Sequence, residues 1–259
     1  MSIKQLQNLL VIAFIIIAIW LGIGLFAQLH ALFIWGTSAA LLGVMLVYLG
    51  LGVETKPLWY GVLIEKNRNR TSLSRLQVTL WTVVIISAYL SVALIRTMPD
   101  ALDPAEGCQE TEDVDCTPQP LNIAFPNEIW IALGISTVSF GWSSLIKNNK
   151  YNKTKIDLQP NAQTAVVLYQ AKEPKIRDIF YGDDEGNKDT IDLSKVQMFF
   201  FTITLITVYV FAIGSFITND ALIRAPLAFE FPSFSSSMTV ILGISHAGYL
   251  FVKAPNQRN

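Results

Sequence analysis

The chain has 259 residues, of which 52% are hydrophobic and 15% are charged, and its formal net charge is −1. A soluble domain of this size needs charged residues along its whole length to stay in solution. Here the charges occur in blocks, and apolar runs of about 20 residues lie between them. Such runs cross a hydrocarbon core as helices, because lipid cannot hydrogen-bond an open backbone. The composition therefore excludes a soluble globular protein and predicts an integral membrane protein.

Six apolar runs predict six transmembrane helices. The first run begins at Leu9; it is too long for a signal-peptide core and has no Ala-x-Ala cleavage site, so we expect an uncleaved anchor. Only a short turn around Gln28, Leu29 and His30 separates it from the second run, and the two predict a tight hairpin. The predicted spans are residues 9–28, 32–52, 77–97, 129–147, 198–218 and 235–253.

Basic residues predict the orientation of these helices. All of the 19 Lys and Arg residues except Arg96 and Arg224 fall in loops on one side. Loops rich in Lys and Arg stay in the cytoplasm. Because the number of spans is even, we expect both termini to be cytoplasmic.

The loop 98–127 falls on the opposite, outer side. It is acidic, and it contains both cysteines of the chain, Cys108 and Cys116. A disulfide between them would suit an oxidising periplasm or lumen. The alternative is a pair of unbonded thiols.

One six-residue motif occurs twice, and it suggests an internal duplication. Residues 72–77 (SLSRLQ) open the third span, and residues 192–197 (DLSKVQ) open the fifth. At the same offset Thr82 matches Thr202. Further along the chain, a Phe-Pro pair at 125–126 parallels another at 231–232. Each copy predicts an outgoing helix, an outer loop and a returning helix, so both copies have the same orientation in the membrane.

The predicted fold is therefore an all-α membrane protein of six transmembrane helices, with an N-terminal hairpin followed by two parallel two-helix repeats. The boundaries follow from the apolar runs and from the duplicated motif. The segments are residues 1–56 (N-terminal hairpin), 57–147 (first repeat, with the acidic outer loop 98–127), 148–197 (cytoplasmic segment), 178–253 (second repeat) and 254–259 (cytoplasmic tail).

The duplicated motif has two interpretations. Ser74 with Gln77, and Ser194 with Gln197, fit a capping box, in which the Ser oxygen accepts from the third helical N–H and the Gln reaches back. Both helix starts would then be fixed at the cytoplasmic interface. The alternative is a paired Gln site that contacts a ligand or a partner.

Polar residues near and within the spans are few. Arg75 and Lys195, which follow the motif serines, are expected at the headgroup level, facing anionic lipid. His246, flanked by Ser245, is the only histidine within a span. It is either a pore-lining or sensing group or a side chain bonded to a neighbouring helix. Charged residues such as Arg96 and Glu128 lie only at the ends of spans and none lies in the interior of one, which argues against a proton- or sodium-coupled transporter.

The motif also carries a family resemblance. Leu-Ser-(Arg/Lys)-x-Gln followed by an aromatic-Thr pair, at 81–82 and at 201–202, resembles a family of uncharacterised bacterial multi-pass membrane proteins. The stretches 181–197 and 243–250 are similar to that family as well, and the resemblance covers residues 57–253. It implies a bacterial-type origin and a membrane setting, and it brings no established activity. We therefore expect the protein in the bacterial inner (cytoplasmic) membrane.

Motifs for chemistry are missing from the sequence. It has no Gly-rich phosphate loop, no Gly-x-Ser-x-Gly and no His-Glu-x-x-His. We therefore predict no enzyme activity, no catalytic, cofactor or metal site and no nucleic-acid partner.

A membrane anchor or scaffold is the predicted function, docking a partner protein through its cytoplasmic face. The alternative is a channel or facilitator for a small neutral solute, with a path past Thr82, Thr202 and His246. Small residues four apart, such as Gly36 with Ala40, serve internal helix packing or a homo-oligomer contact.

Overall fold

The structure is a computed structural model that describes residues 3–27, 29–51, 59–98, 119–156, 169–218 and 229–253. Within these ranges the chain is mainly helical, with one small antiparallel β-ladder. The helices are α1 (Ile3–Phe26), α2 (Ala31–Leu51), α3 (Leu73–Arg96), α4 (Asn127–Ile156), α5 (Leu193–Thr218) and α6 (Ser236–Lys253).

Each of the six predicted spans overlaps one of these helices, but six membrane crossings are not confirmed. Within the described ranges, α1, α2, α3 and α5 are long and apolar enough to cross a membrane. The 24 residues of α3, for example, extend about 36 Å, which exceeds the thickness of a hydrocarbon core. These helices make the chain an integral membrane protein, as predicted. The helices α3, α4 and α5 are longer than the apolar runs, because polar residues continue the helical backbone beyond the apolar stretch.

The helices bury some polar side chains beside their apolar core and expose many large apolar ones. Buried positions on the helices include Ser38, Ser87, Ser136, Thr202 and His246. Large apolar side chains instead lie exposed on every helix; they include Ile19, Leu49, Ile86, Trp142, Phe211 and Phe251. Exposed apolar surface on this scale needs an apolar surrounding, and lipid provides it.

The helix starts at the duplicated motif differ from the predicted capping boxes. Helix α5 begins at Leu193, and the Oδ1 of the preceding residue, Asp192, accepts from the backbone N of Ser194 at 3.1 Å. A short side-chain cap of this kind satisfies an N–H of the first turn. Helix α3 begins in the same register, at Leu73 after Ser72. Each motif serine therefore lies at the second helical position rather than at the cap.

The chain forms two compact units, and α3 and α5 contribute to both. Unit 1 consists of Met1–Tyr48, Thr82–Asn127 and Thr207–Ser233; unit 2 consists of Leu49–Trp81, Glu128–Ile206 and Phe234–Asn259.

In unit 1, a close approach of α1 and α2 follows their short connection. A Cβ on Gly24 would lie 2.9 Å from the ring of Phe33, so only glycine fits there without a shift. Helix α2 is joined to α3 by a hydrogen bond from Trp35 Nε1 to Ser87 Oγ at 3.0 Å. The predicted hairpin therefore packs on the helices that follow it.

Arg96, the last residue of α3, links two non-helical segments of unit 1. Its Nη1 donates to the carbonyl of Asn122 at 2.8 Å, and its Nη2 donates to the carbonyl of Phe229 at 2.6 Å. The side chains of the Phe-Pro pairs also meet, because the rings of Phe125 and Phe231 stack with centroids 4.3 Å apart. Arg96 is only 2% exposed, so its charge is held by backbone dipoles away from water.

Candidate functional site

A polar layer, here called the platform, precedes both α3 and α5 within unit 2. It comprises residues 59–72 and 169–192. Its first part is a hairpin of β1 (Ile64–Glu65) and β2 (Arg70–Thr71), whose turn places Asn69 at φ 51°. Asparagine tolerates this left-handed conformation better than most residues. Its second part is the short 3₁₀ helix Ile176–Phe180, followed by a turn that a Tyr181–Ile191 bridge closes.

The two parts of the platform hold each other through backbone carbonyls. Thr71 Oγ1 donates to the carbonyl of Lys175 at 2.6 Å, and the backbone N of Ala171 donates to the carbonyl of Arg68 at 2.9 Å. Tyr60 Oη donates to the carbonyl of Pro174 at 3.2 Å. Residues more than 100 positions apart thus form a single layer.

Three buried cations converge on the carbonyls of residues 181–183. Lys195 Nζ donates to Tyr181, Arg70 Nη1 to Gly182 and Arg68 Nη2 to Asp183, each at 2.5 Å. These three cations are at most 4% exposed. Three buried side chains therefore hold the Tyr-Gly-Asp turn through its backbone carbonyls.

Asp183 supplies the negative charge at the centre of this cluster. Its Oδ1 lies 2.8 Å from Arg68 Nη1 and 2.9 Å from Lys195 Nζ. Sequence reasoning had placed Lys195 against anionic lipid, and that prediction is wrong, because the ammonium is buried beside this carboxylate. A flexible lysine stem can reach an internal partner whose position the sequence does not reveal.

The two arginines of β2 and its turn differ in their electrostatic surroundings. Burial lowers the pKa of Arg68, but the carboxylates of Asp183 and Glu65 outweigh it, so the pKa lies above its usual value. Burial lowers the pKa of Arg70 as well, and repulsion from Arg68 adds to that effect. Among the described residues, no carboxylate lies within ion-pair distance of Arg70. Its hydrogen bonds go to the carbonyls of Gly182 and Asp178.

A charged pocket of about 700 Å³ opens beside Arg70. Lys188 Nζ lies 4.8 Å from the centroid of the Tyr169 ring, and Arg70 Cζ lies 5.4 Å from it. The ring face attracts both cations, and Lys188 also forms an ion pair with Glu185. The lining also includes the basic Lys172, Lys175 and Arg177, and the acidic Glu173, Asp178 and Asp189.

The two motif glutamines lie in different environments. Gln77 is 1% exposed and donates through Nε2 to Thr202 Oγ1, which joins α3 to α5. Gln197 is exposed. Ser74 is buried and its hydroxyl lies 3.4 Å from Tyr249 Oη of α6, whereas Ser194 contacts Asp192. The structure therefore brings no pair of glutamines together.

His246 and Ser245 are buried in unit 2 at 2% and 5% exposure. Neither imidazole nitrogen has a hydrogen-bond partner within the described ranges, nor has Ser245 Oγ. The predicted bond from His246 to a neighbouring helix is thus not formed there. Buried polar atoms normally have partners, so His246 and Ser245 are exceptions among the described residues, as are Ser38, Ser136 and Ser139.

The path predicted for a neutral solute is only partly present. Thr202 and His246 are buried, but Thr82 lies on the exposed surface of α3. Thr202 is also occupied by Gln77. Thr82 therefore cannot line an internal route.

Other predicted features lie outside the described residues. They are Cys108 and Cys116 with most of the loop 98–127, and the tail 254–259. Over the part of the chain that is described, no group of three His, Cys, Asp or Glu residues could hold a metal ion. On the small-residue face of α2, Gly36 and Ala40 line a shallow apolar groove of about 300 Å³ beside Trp20 of α1.

Sequence reasoning missed Arg68, Arg70 and Asp183 as a group. The available signal was the Arg-Asn-Arg that ends two residues before the first motif and the acidic stretch 183–185, which ends seven residues before the second. Opposite charges in two turns can pair when the turns are neighbours.

Comparison of the chain with protein-family models, with curated proteins and with solved structures gives no match.

Proposed function

We propose that this chain is a six-span bacterial inner-membrane scaffold that docks a partner protein on its platform, at the cytoplasmic face. The main support is the platform itself. It lies outside the helices, and buried cations hold it together. A preorganised surface loses little conformational entropy when a partner binds.

Contacts within unit 2 support six spans. Arg68, which precedes α3, binds Asp183, which precedes α5. If both α3 and α5 cross the membrane, the chain must return between them, and α4 is the described helix in that interval. Ser74 at the start of α3 likewise meets Tyr249 near the end of α6, which supports a return through α6.

Exposed apolar side chains support docking on the platform. Trp59 is 63% exposed, Ile176 45% and Ile191 66%, although they lie in the polar layer before the helices. Aromatic and aliphatic side chains of this kind form the anchors of protein interfaces.

Co-purification from mild detergent after cross-linking tests the proposal. A partner retained by the wild type should be lost from Ile176→Ser with Ile191→Ser. Phe211→Ser, a change at a 72% exposed position of α5, is the matched control and should retain it. Equal loss from both variants, or wild-type protein that returns only itself and lipid, would contradict docking on the platform.

A facilitator for a small neutral solute is the second candidate, and the unpartnered His246 and Ser245 favour it. A solute or water chain could satisfy these atoms. Stopped-flow swelling of proteoliposomes in glycerol or urea tests this function: His246→Phe should abolish the flux of a genuine facilitator. Flux equal to that of empty liposomes would exclude these solutes.

A further inference from the structure

The wall of the platform pocket contains a buried cation, Arg70, that has no carboxylate within ion-pair distance among the described residues, although Asp183 and Asp178 act on its charge from farther away. Arg70 is 3% exposed, and both of its assigned hydrogen bonds go to neutral carbonyls. Its neighbour Arg68, equally buried, has Asp183 as a counter-ion. A buried cation without a counter-ion is costly, so an anion beside Arg70 would be favoured.

The remaining lining is of mixed charge, with more basic than acidic residues, and Lys188 is paired with Glu185 outside it. Five basic residues and three acidic residues line the pocket. One of the acids, Asp178, already accepts from the backbone N of Lys175 at 2.9 Å, where it caps the 3₁₀ helix. Lys172, Lys175 and Arg177 are exposed, so their side chains can turn toward a ligand without a loss of internal contacts.

We propose that this pocket binds a phosphoryl group. A phosphate monoester carries a charge of about −1.5 to −2 at neutral pH and three acceptor oxygens, which Arg70 and the exposed Lys172, Lys175 and Arg177 can share, whereas a single carboxylate carries one charge and two oxygens. Arg and Lys are the side chains that bind phosphoryl oxygens with charge-assisted hydrogen bonds. The group can belong to a soluble phosphorylated compound or to a lipid headgroup, since the platform adjoins the starts of α3 and α5.

Titration of the purified full chain separates these sources. In the first arm, sodium pyrophosphate is added to protein in a nonionic detergent, and binding is followed by calorimetry and by the rise in Tm. In the second arm, the Tm is compared between nanodiscs of phosphatidylcholine alone and nanodiscs that contain phosphatidylglycerol. A response in the first arm assigns a soluble ligand, and a response in the second alone assigns a headgroup.

Variants of the lining residues test whether the response to pyrophosphate or to phosphatidylglycerol arises from binding in the pocket. Lys175→Ala and Lys188→Ala each remove one charge from the lining, and each should weaken the response about tenfold, the value of one charge-assisted hydrogen bond. Lys66→Ala is the matched control, because Lys66 is an exposed residue of the β1–β2 turn outside the pocket. These positions are not in the core, so the variants should fold.

Three results would overturn the proposal. One is the absence of a response in both arms. Another is an equal response to sodium chloride at the same ionic strength, which would indicate general screening. The third is a loss of binding in Lys66→Ala as large as that in Lys188→Ala. These outcomes are independent of partner docking. The assays use the purified chain without a partner, and the variants leave Trp59, Ile176 and Ile191 unchanged.

Discussion

Asp183 is the residue on which the charge balance of the platform depends. One carboxylate oxygen serves both Arg68 and Lys195, whose side chains are 5% and 4% exposed. Removing one member of a buried charge cluster leaves the others without compensation, and this costs more than the original pairing contributed. A surface ion pair contributes far less, because water and salt screen it.

Asp183→Asn should therefore lower the Tm by an amount on the order of 10 °C, as expected for a buried charge left unpaired. Glu185→Gln is the matched control in the same turn. It removes an ion pair with Lys188 in which the side chains are 51% and 32% exposed, and it should lower the Tm by no more than about 3 °C. Tryptophan fluorescence during heating measures both. Equal shifts would show that the buried cluster contributes no more than a surface pair.

At the scale of elements, two helices that begin with nearly the same six residues use them differently. In α3, Gln77 binds Thr202 of α5. In α5, Gln197 is exposed, because its helix presents this position away from the packed face. A polar bond between helices in a membrane contributes about 0.6 kcal/mol on average.

A double-mutant cycle on Gln77→Leu and Thr202→Val should give a coupling free energy of about 0.6 kcal/mol, and no more than about 1.7 kcal/mol. Thr202→Val alone leaves the Gln77 amide without its partner, so it should cost about 1–3 kcal/mol, and Gln77→Leu should restore part of this loss. Unfolding in SDS-containing mixed micelles provides the measurement. Gln197→Leu should change stability by less than about 0.5 kcal/mol; a loss as large as that at Gln77 would mean that the motif acts as a pair after all.

The stacked rings of Phe125 and Phe231 connect the two non-helical segments. Replacing each with Leu in a double-mutant cycle should give a coupling free energy of about 0.5–1.5 kcal/mol, the value of an aromatic pair beyond its area. In the control cycle, Phe125→Leu is combined with Phe211→Leu. Phe211 is 72% exposed on α5, so this pair should have no coupling free energy. A zero coupling for the stacked pair would show that the segments fold independently of this contact.

For the whole molecule, the decisive question is on which side of the membrane each loop lies. In a host in which Cys108 and Cys116 are replaced by Ser, single cysteines are placed at Lys66, Glu185 and Leu121. We expect an impermeant maleimide to label Leu121→Cys in intact cells, and to reach Lys66→Cys and Glu185→Cys only after permeabilisation, because basic loops stay inside. Labelling of Lys66→Cys and Glu185→Cys from opposite sides would contradict a crossing by α4.

The helices could be predicted because apolar length is a local property of the sequence, and the span of α2, for example, was placed within a residue at each end. The platform could not be predicted, because Arg68 and Asp183 are 115 positions apart and either could have faced water. Lys195 shows the same difficulty, since its long side chain reaches inward rather than toward lipid. The motif correctly predicted that helices begin there, but in α5 the cap is Asp192 rather than Ser194.

Arg96 makes the two halves of the chain unequal. At the offset that aligns the two motifs, α5 has Phe216, an exposed apolar residue with no charge to offer. The carbonyl of Phe229, in the second half of the chain, accepts a hydrogen bond from Arg96, which belongs to the first half. A gene fragment that encoded only the second half would leave this acceptor without its donor. If the two motifs mark a duplication, as the sequence predicts, the two copies have diverged at this position.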